Sequence, residues 1–178
     1  MSMSLSKEQI SPQRIDAIAD LLSYQDKVKP FCVSKNQFLL HEGCVSDAIY
    51  VINQGAARIS HNDGGRDITL QFFFEQQLVA SFESFYWQCP SRFAIETIEP
   101  CELIKISRES FMLWKEASLY ATNFLIDWLS HRFTNYSELF LSRIKNSPQQ
   151  RYLELMKKQP ELFKRVPHHH IASYLGIT

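Results

Sequence analysis

LYATNFLIDWLSHRFTNYSELFLSRIK, residues 119–145, is the most informative segment of this sequence. It contains neither proline nor glycine, and its large apolar residues recur three or four positions apart, which is the spacing of one face of an α-helix. These residues are Phe124, Leu125, Trp128, Leu129, Phe133, Tyr136, Leu139, Phe140 and Ile144. At a rise of about 1.5 Å per residue the predicted helix is about 40 Å long, which is more than one small core can cover.

Two interpretations account for this long apolar face. The helix either packs wholly on its own domain, or packs on its own domain at one end and on a second copy of the chain at the other. We favour the second interpretation because of the length. The predicted dimer interface comprises Leu125, Trp128, Leu129, Phe133, Tyr136, Phe140 and Ile144. The predicted solvated face comprises Asp127, His131, Arg132, Asn135 and Glu138.

Composition sets limits on the class of protein. The 178 residues are 45% hydrophobic, which is ample for a buried core, and 19 Lys and Arg balance 19 Asp and Glu. The balanced charge gives no sign of a nucleic-acid or membrane surface. No apolar run has the length of a signal peptide or a membrane span, so a cytoplasmic protein is expected. The four cysteines have no CxxC spacing, which favours free thiols over disulfides or a metal site.

The region from Phe31 to Ile106 consists of short segments separated by turn residues, a pattern typical of a β-sandwich or β-barrel. Glycine-containing turns follow the segments at Glu42-Gly43, Gln54-Gly55 and residues 62–65, where glycine readily adopts a positive φ. The predicted strands are Gln37–His41, Ala48–Asn53, Ala56–His61, Arg66–Phe74, Phe93–Ile98 and Cys101–Ile106.

The segment LVASFESFYWQCPSR, residues 78–92, interrupts the strand pattern. It lacks alternation and contains four aromatic residues, so a short helix inserted in the barrel is predicted. Two roles remain open for it. The amides at its N-terminus could hold an anion, or its aromatic side chains could fill the barrel.

The C-terminal part begins with a helix start signal. Ser147-Pro148-Gln149-Gln150 has the form of a capping box with proline at the first helical position, which predicts a helix over Pro148–Lys158 and a domain boundary near residue 146. His168, His169 and His170 are adjacent in sequence. Consecutive side chains on a helix point about 100° apart, so these histidines do not predict a metal site.

Two stretches together resemble one known family. The sensor domain of the Crp/Fnr family of bacterial transcription regulators is similar to the first stretch, HEGCVSDAIYVINQGAARI (residues 41–59), taken with the inserted segment and the long helix. The start of that family's winged helix-turn-helix is similar to the second stretch, PQQRYLELMKKQPELFKRVPHHHIASYLGIT (residues 148–178). The run SFESF is similar to a divergent, Bacteroidetes-type branch. The resemblance implies an α+β fold: a jelly-roll β-barrel of cyclic-nucleotide-binding type at 1–116, a dimerisation helix at 117–146 and an incomplete winged helix-turn-helix at 147–178.

The resemblance also implies an effector site. The Gly-Glu pair that holds the ribose in the family falls on Ala80-Ser81, and the Arg-Ser pair that holds the phosphate falls on Ser91-Arg92. The other candidate ligand-binding residues are Phe82, Glu83, Tyr136 and Ser137. Loss of the glutamate and displacement of the arginine by one position argue against cyclic AMP. A different small anionic effector, or no cofactor at all, is the expected alternative.

The last residues resemble the first helix and turn of the DNA-binding motif, represented by Ile171, Ala172, Leu175, Gly176 and Thr178. The sequence ends where the recognition helix is expected to begin, so we expect a parent protein that continues and binds DNA as a homodimer. In this chain Lys157, Lys158, Lys164 and Arg165 could supply only weak phosphate contacts.

Two other functions were weighed. A cupin-type metalloenzyme would need two or three convergent histidines, and the β region has only His41 and His61, which lie on separate predicted strands. No motif of an enzyme is present in the sequence, so an enzyme is not expected. The second alternative is a ligand-sensing or dimerisation module that acts on a partner protein without binding DNA.

Overall fold

The computed structural model describes residues 12–25, 28–117 and 119–177. Within these residues, eight strands form two antiparallel four-stranded sheets, with order β1-β8-β3-β6 in the first sheet and β2-β7-β4-β5 in the second. The strands are β1 Pro30–Val33, β2 Phe38–Leu40, β3 Ala48–Gln54, β4 Ala57–Asp63, β5 Arg66–Phe73, β6 Leu78–Val79, β7 Ala94–Thr97 and β8 Cys101–Ser107. The helices are α1 Pro12–Ser23, α2 Phe82–Trp87, α3 Arg108–Ala117, α4 Leu119–Lys145, α5 Pro148–Lys158, α6 Leu162–Arg165 and α7 His168–Leu175.

All six predicted strands are confirmed as β2, β3, β4, β5, β7 and β8, with ends that differ by a few residues. β1 and β6 were not predicted from the sequence. β1 is short and opens on Pro30, and β6 has only two residues. Both exist because they pair with strands distant in sequence, β1 with β8 and β6 with β3, and such pairing leaves no periodic signal in so short a segment.

The interior of the sandwich lies between the two sheets. Tyr50 and Ile52 of β3 pack there against Ile59, Phe73 and Ile95 of the second sheet. The alternate residues of β3 face the other way and are buried as well, because helices cover the outer face of the first sheet. Burial on both faces explains why β3 has a continuous apolar sequence in place of polar alternation.

A helical layer covers that outer face. Trp114 of α3 is buried beside Leu21 of α1 and Leu125 of α4, and its indole Nε1 donates a hydrogen bond to Asp20 Oδ2 at 2.8 Å. Ala121, Leu125 and Trp128 lie on one side of α4, at the i, i+4 and i+7 spacing of a helix face, and pack on the same layer. The first half of α4 is thus an integral part of the sensor core.

The C-terminal helices contribute to a third apolar cluster. Leu155 of α5, Leu162 of α6 and Ile171 of α7 pack against Phe72 of β5 and Ile98 of the sandwich. The predicted start of α5 is confirmed: Ser147 and Gln150 form a reciprocal capping box, with Pro148 as the first helical residue. The α5–α7 unit therefore packs directly on the β-sandwich.

Gly55 shows why one turn requires glycine. It joins β3 to β4 with a φ of 98°, and a Cβ atom there would clash with the carbonyl oxygen of Pro100 and lie 2.8 Å from Cys101 Sγ. Its amide donates to Glu75 Oε1 at 3.0 Å. Any other residue would strain the turn and disturb the neighbouring chain.

Candidate functional site

Two serines are hydrogen-bonded to each other within residues 78–92, the segment that the resemblance identifies with effector binding, and we call the part between them the closed segment. Ser91 Oγ lies 2.7 Å from Ser81 Oγ and 2.7 Å from the carbonyl oxygen of Phe93. Both serine residues are buried, each with 4% of its surface exposed. At these positions, where the family's cyclic AMP binders carry a glutamate and an arginine, this chain has two neutral hydroxyls that satisfy each other, so they provide no charge for a phosphate.

Glu83 and Arg92 form an ion pair on the protein surface, away from the two buried serines. Arg92 Nη2 lies 2.7 Å from Glu83 Oε2, and both side chains are at least half exposed. Arg92 precedes β7 and lies in a bend, so its exposure follows from the course of the loop, whereas the sequence analysis expected it on a strand with its side chain on the other face. An exposed pair of this kind is screened by water and contributes little to stability.

Aromatic side chains fill the space beneath the segment. The ring of Phe82 lies 5.7 Å from that of Trp128 and 6.2 Å from that of Phe111, and Phe85 is fully buried in the same layer. Ala80 is also buried, with 8% exposure. These rings belong to the helical layer on the outer face of the first sheet, so the aromatic side chains do not fill the barrel, as one of the two predicted roles required. α2 has only six residues and follows the paired Ser81, so its N-terminus offers a poor anion site.

The two remaining candidates lie elsewhere. Tyr136 Oη donates to Gln71 Oε1 at 2.7 Å and accepts from Arg132 Nη2 at 3.0 Å. Ser137 is half-buried on the same part of α4. The structure therefore divides the predicted ligand-binding residues between the closed segment and a separate place on the long helix.

Tyr136 borders a cavity of about 630 Å³. Its walls come from β5 and the following turn, the second half of α4, and the α5–α7 unit. None of the candidate residues at 80–83, 91 or 92 is among the described residues that line it. Apolar lining comes chiefly from Phe72, Phe74, Leu139, Leu155, Leu162 and Tyr174.

Arg132 corrects the predicted solvated face of α4. Its guanidinium carbon lies 5.1 Å from the ring centre of Trp128, 5.3 Å from that of Phe73 and 5.6 Å from that of Tyr136. Nη2 donates to Gln71 Oε1 at 2.8 Å. The side chain is half-buried because its planar cation stacks on aromatic faces. Asp127 and His131 are exposed as predicted.

The second half of α4 leaves an apolar stripe uncovered. Phe133 is 75% exposed, Phe140 64% and Ile144 65%. Leu129 and Tyr136 are exposed on the same side, and Ile126, which the sequence analysis did not assign, extends the stripe toward the N-terminus. Ile126, Phe133 and Phe140 are spaced seven apart, the heptad spacing that could have identified Ile126.

Leu125 and Trp128 do not belong to that stripe. Leu125 is 7% exposed and lies in the helical layer of its own subunit, and Trp128 is half-buried against the same layer. Leu125 thus has almost no surface left for a second copy, and we withdraw it from the predicted interface. The reason is that α3 and the first sheet cover the first turns of α4.

The helix predicted to open the DNA-binding motif is α7. Ile171 and Leu175 are buried in the third cluster, and Ala172 is half-buried. Gly176 ends α7 with a φ of 64°, and its amide donates to the carbonyl oxygen of Ser173 at 3.0 Å. This is the left-handed turn expected of glycine at that position. Thr178, the last residue of the predicted motif, lies outside the described residues.

Polar contacts also hold α5–α7 on the sandwich. Arg165 Nη2 lies 2.8 Å from Glu75 Oε1 and 2.6 Å from Glu99 Oε2, so Arg165 is engaged within the chain and is not free for a phosphate contact. Hydrogen bonding to Arg165 lowers the pKa of Glu75 to about 2. Ser173 Oγ accepts from the amide of Thr69 and donates to the carbonyl oxygen of Asp67, so it pairs with the open edge of β5.

His170 of α7 lies where that helix packs on β5, with Nδ1 3.6 Å from Asp67 Oδ2. Burial lowers the pKa of its imidazole to about 4, so the ring is neutral at neutral pH.

Among the described residues, no group of three or more His, Cys, Asp or Glu side chains is arranged to hold a metal ion. In the same part of the chain no helix is both long and apolar enough to span a membrane.

Comparisons with known proteins agree with this architecture. Residues 31–114 match the profile of the family described as "Cyclic nucleotide-binding domain". The sequence matches no curated protein. The fold is similar to that of CLP, the c-di-GMP responsive global regulator of Xanthomonas campestris, with 19% identity, a TM-score of 0.72 and coverage of 92% of this chain and 86% of that chain.

Two further structures have the same degree of likeness. One, from Eubacterium rectale, is described as a transcriptional regulator of the Crp/Fnr family and has 20% identity, a TM-score of 0.72 and coverage of 94% of this chain and 81% of that chain. FixK2 from Bradyrhizobium japonicum has 16% identity, a TM-score of 0.72 and coverage of 85% and 79%. Residues 31–114 therefore match the cyclic nucleotide-binding domain family, within a chain that has the fold of Crp/Fnr-type transcription regulators.

Proposed function

We propose that this chain is the regulatory part of a Crp/Fnr-type transcription regulator. The β-sandwich senses a small effector, α4 forms a homodimer, and the α5–α7 unit belongs to a winged helix-turn-helix through which the regulator binds DNA in the cytoplasm. The protein acts by binding and carries out no catalysis.

The observation that carries this proposal is the division of α4 along its 27 residues. Its first half is buried in the sensor core, while its second half exposes a heptad stripe ending at Ile144 and borders the α5–α7 unit. One rigid helix thus touches the sensor, a candidate dimer surface and the candidate DNA-binding unit. Coupling between separate sites requires such a shared element.

Three features support a sensor whose effector differs from cyclic AMP. The serine pair at Ser81 and Ser91 lacks the charges that a cyclic phosphate needs, and Arg92 is paired with Glu83 at the surface. Aromatic rings occupy the space under α2. These features concern the identity of the effector and leave the role of α4 unchanged.

The dimer is the part of the proposal that is most directly tested. Phe133→Asp or Phe140→Asp would place an unpaired charge at the centre of the stripe, so we expect the dimer dissociation constant to rise at least about 100-fold. Sedimentation velocity of the purified chain over a range of concentrations measures it. Trp87→Asp is the matched control, because Trp87 is 72% exposed on α2, away from the stripe.

The expected result is a monomer for both stripe variants and a dimer for the native chain and Trp87→Asp. Folded stripe variants that still sediment as dimers would remove α4 from the interface. Circular dichroism establishes that each variant is folded.

A further inference from the structure

The cavity of about 630 Å³ lies where three parts of the molecule meet. Phe72 belongs to β5 of the sensor, Leu139 to the second half of α4, and Tyr174 to α7. Pockets that bind small molecules usually measure about 300–1,000 Å³ and combine apolar walls with a few polar groups. By size and lining this cavity belongs to that class.

Most cations at the cavity wall are already engaged. Lys158 Nζ lies 3.8 Å from Glu138 Oε2, and Arg165 holds two carboxylates. Arg151 donates from Nε to the carbonyl oxygen of Leu175 at 3.0 Å and from Nη1 to that of Asn146 at 2.8 Å. These side chains serve the docking of α5–α7 and offer little free charge to a ligand.

Arg132 is different. Its contacts within the described part of the chain are the neutral oxygens of Gln71 and Tyr136, both reached through Nη2, and the faces of aromatic rings. No carboxylate there neutralises the guanidinium, and the N–H groups of Nε and Nη1 have no hydrogen-bond acceptor among the described residues. The stacked rings hold the cation in one orientation, so an anion would meet a preorganised partner.

We propose that this cavity binds a small amphipathic monoanion, with its acidic head on the Arg132 guanidinium and its apolar body against Phe72, Leu139 and Tyr174. A charge-assisted bond to a planar guanidinium supplies specificity for the head, and burial of apolar surface supplies affinity for the body. The charge balance elsewhere in the lining disfavours ligands with several negative charges.

Binding here also has a regulatory consequence, which rests on the proposed function. A molecule that touches β5, α4 and α7 together binds most tightly to the one arrangement in which all three walls are in place. It therefore shifts the chain toward that arrangement and changes the position of α5–α7 relative to the dimer helix. Ligand binding itself requires only the cavity.

The test uses 8-anilinonaphthalene-1-sulfonate, a fluorescent monoanion with an apolar body, titrated into the native chain. We expect saturable binding of one molecule per chain, displaced by octanoate at least about tenfold more effectively than by octanol, which has the same chain without the charge. Arg132→Gln should weaken binding of the dye about tenfold or more. Leu139→Trp should reduce it further by filling the cavity.

Arg92→Gln is the matched control, since it removes an exposed arginine of the segment first assigned to the effector, and we expect unchanged affinity. The proposal fails if the dye does not saturate, if Arg132→Gln and Leu139→Trp bind as tightly as the native chain, or if octanol competes as well as octanoate. A failure of this kind alongside monomeric stripe variants would remove the cavity site and leave the proposed function intact. Folding of each variant is checked by circular dichroism.

Discussion

The two halves of α4 have the same apolar periodicity in sequence and opposite environments in the structure. In the first half Ala121 and Leu125 are buried beneath α3 and the first sheet. In the second half Phe133, Phe140 and Ile144 are mostly exposed, and the other side of the helix borders a cavity. The first half stabilises the subunit, whereas the second half has apolar surface to offer to something else.

The same apolar spacing therefore accompanies a buried face in one half of α4 and an exposed face in the other. Exposed apolar residues arranged as a continuous stripe usually mark an interaction surface, while isolated ones need no explanation. The two halves also differ in what holds them. Apolar contacts fix the first half, and polar contacts of Arg132 and Tyr136 with Gln71 of β5 hold the second.

The largest effect is expected on the free energy of unfolding when one apolar side chain is truncated in each half of α4. Leu125→Ala leaves a cavity in the helical layer and should lower the free energy of unfolding by about 2–5 kcal/mol, whereas Phe140→Ala removes an exposed side chain and should change it by less than about 0.5 kcal/mol. Urea unfolding, with both variants in the monomeric Phe133→Asp background, measures the difference. Equal losses would mean that the two halves are buried alike.

A smaller, pH-dependent effect is expected at the contact that holds α6 on the sandwich. Because the pKa of Glu75 is lowered from 4.5 to about 2, the folded chain favours the charged carboxylate, and this stabilisation is complete above about pH 4.5 and lost as pH falls toward 2. Glu75→Gln should therefore cost about 1 kcal/mol at pH 7, after allowance for solvent screening of a partly exposed group, and progressively less below pH 4.5.

Urea unfolding of Glu75→Gln and of the native chain at pH 7, 4.5 and 3 measures this dependence. Glu116→Gln on the exposed side of α3 is the control for the change in charge, and its curve should follow that of the native chain. A constant difference between Glu75→Gln and the native chain at all three pH values would contradict the assigned role of the ion pair.

The smallest effect is expected when cyclic AMP is added to the protein. Its binding would require the closed segment, which packs against the first half of α4, to open. With Ser81 and Ser91 paired and Phe82 against Trp128, we expect cyclic AMP to raise the melting temperature by less than about 1 °C. Differential scanning fluorimetry measures the shift. A rise of several degrees that disappears in Arg92→Ala would show that the segment opens to accept the nucleotide.

Much of the fold could be predicted because its signals are local. The capping box at Ser147, the turn glycine at Gly55 and the apolar spacing of α4 each depend on residues close in sequence. The candidate site was harder to predict. Arg132 looks like one more residue of a polar helix face, and nothing near it in sequence indicates that Gln71 and Phe73 of β5 will surround it.

Six of the strands, the long helix and the start of α5 follow from the sequence alone, because backbone propensity, turn chemistry and helix capping act over a few residues. Long-range packing determines which half of α4 is buried and brings Ser81 and Ser91 within hydrogen-bonding distance. It also places Arg132 at a cavity without a carboxylate partner among the described residues. Those outcomes depend on which distant surfaces meet, and such contacts leave no trace in the local order of residues.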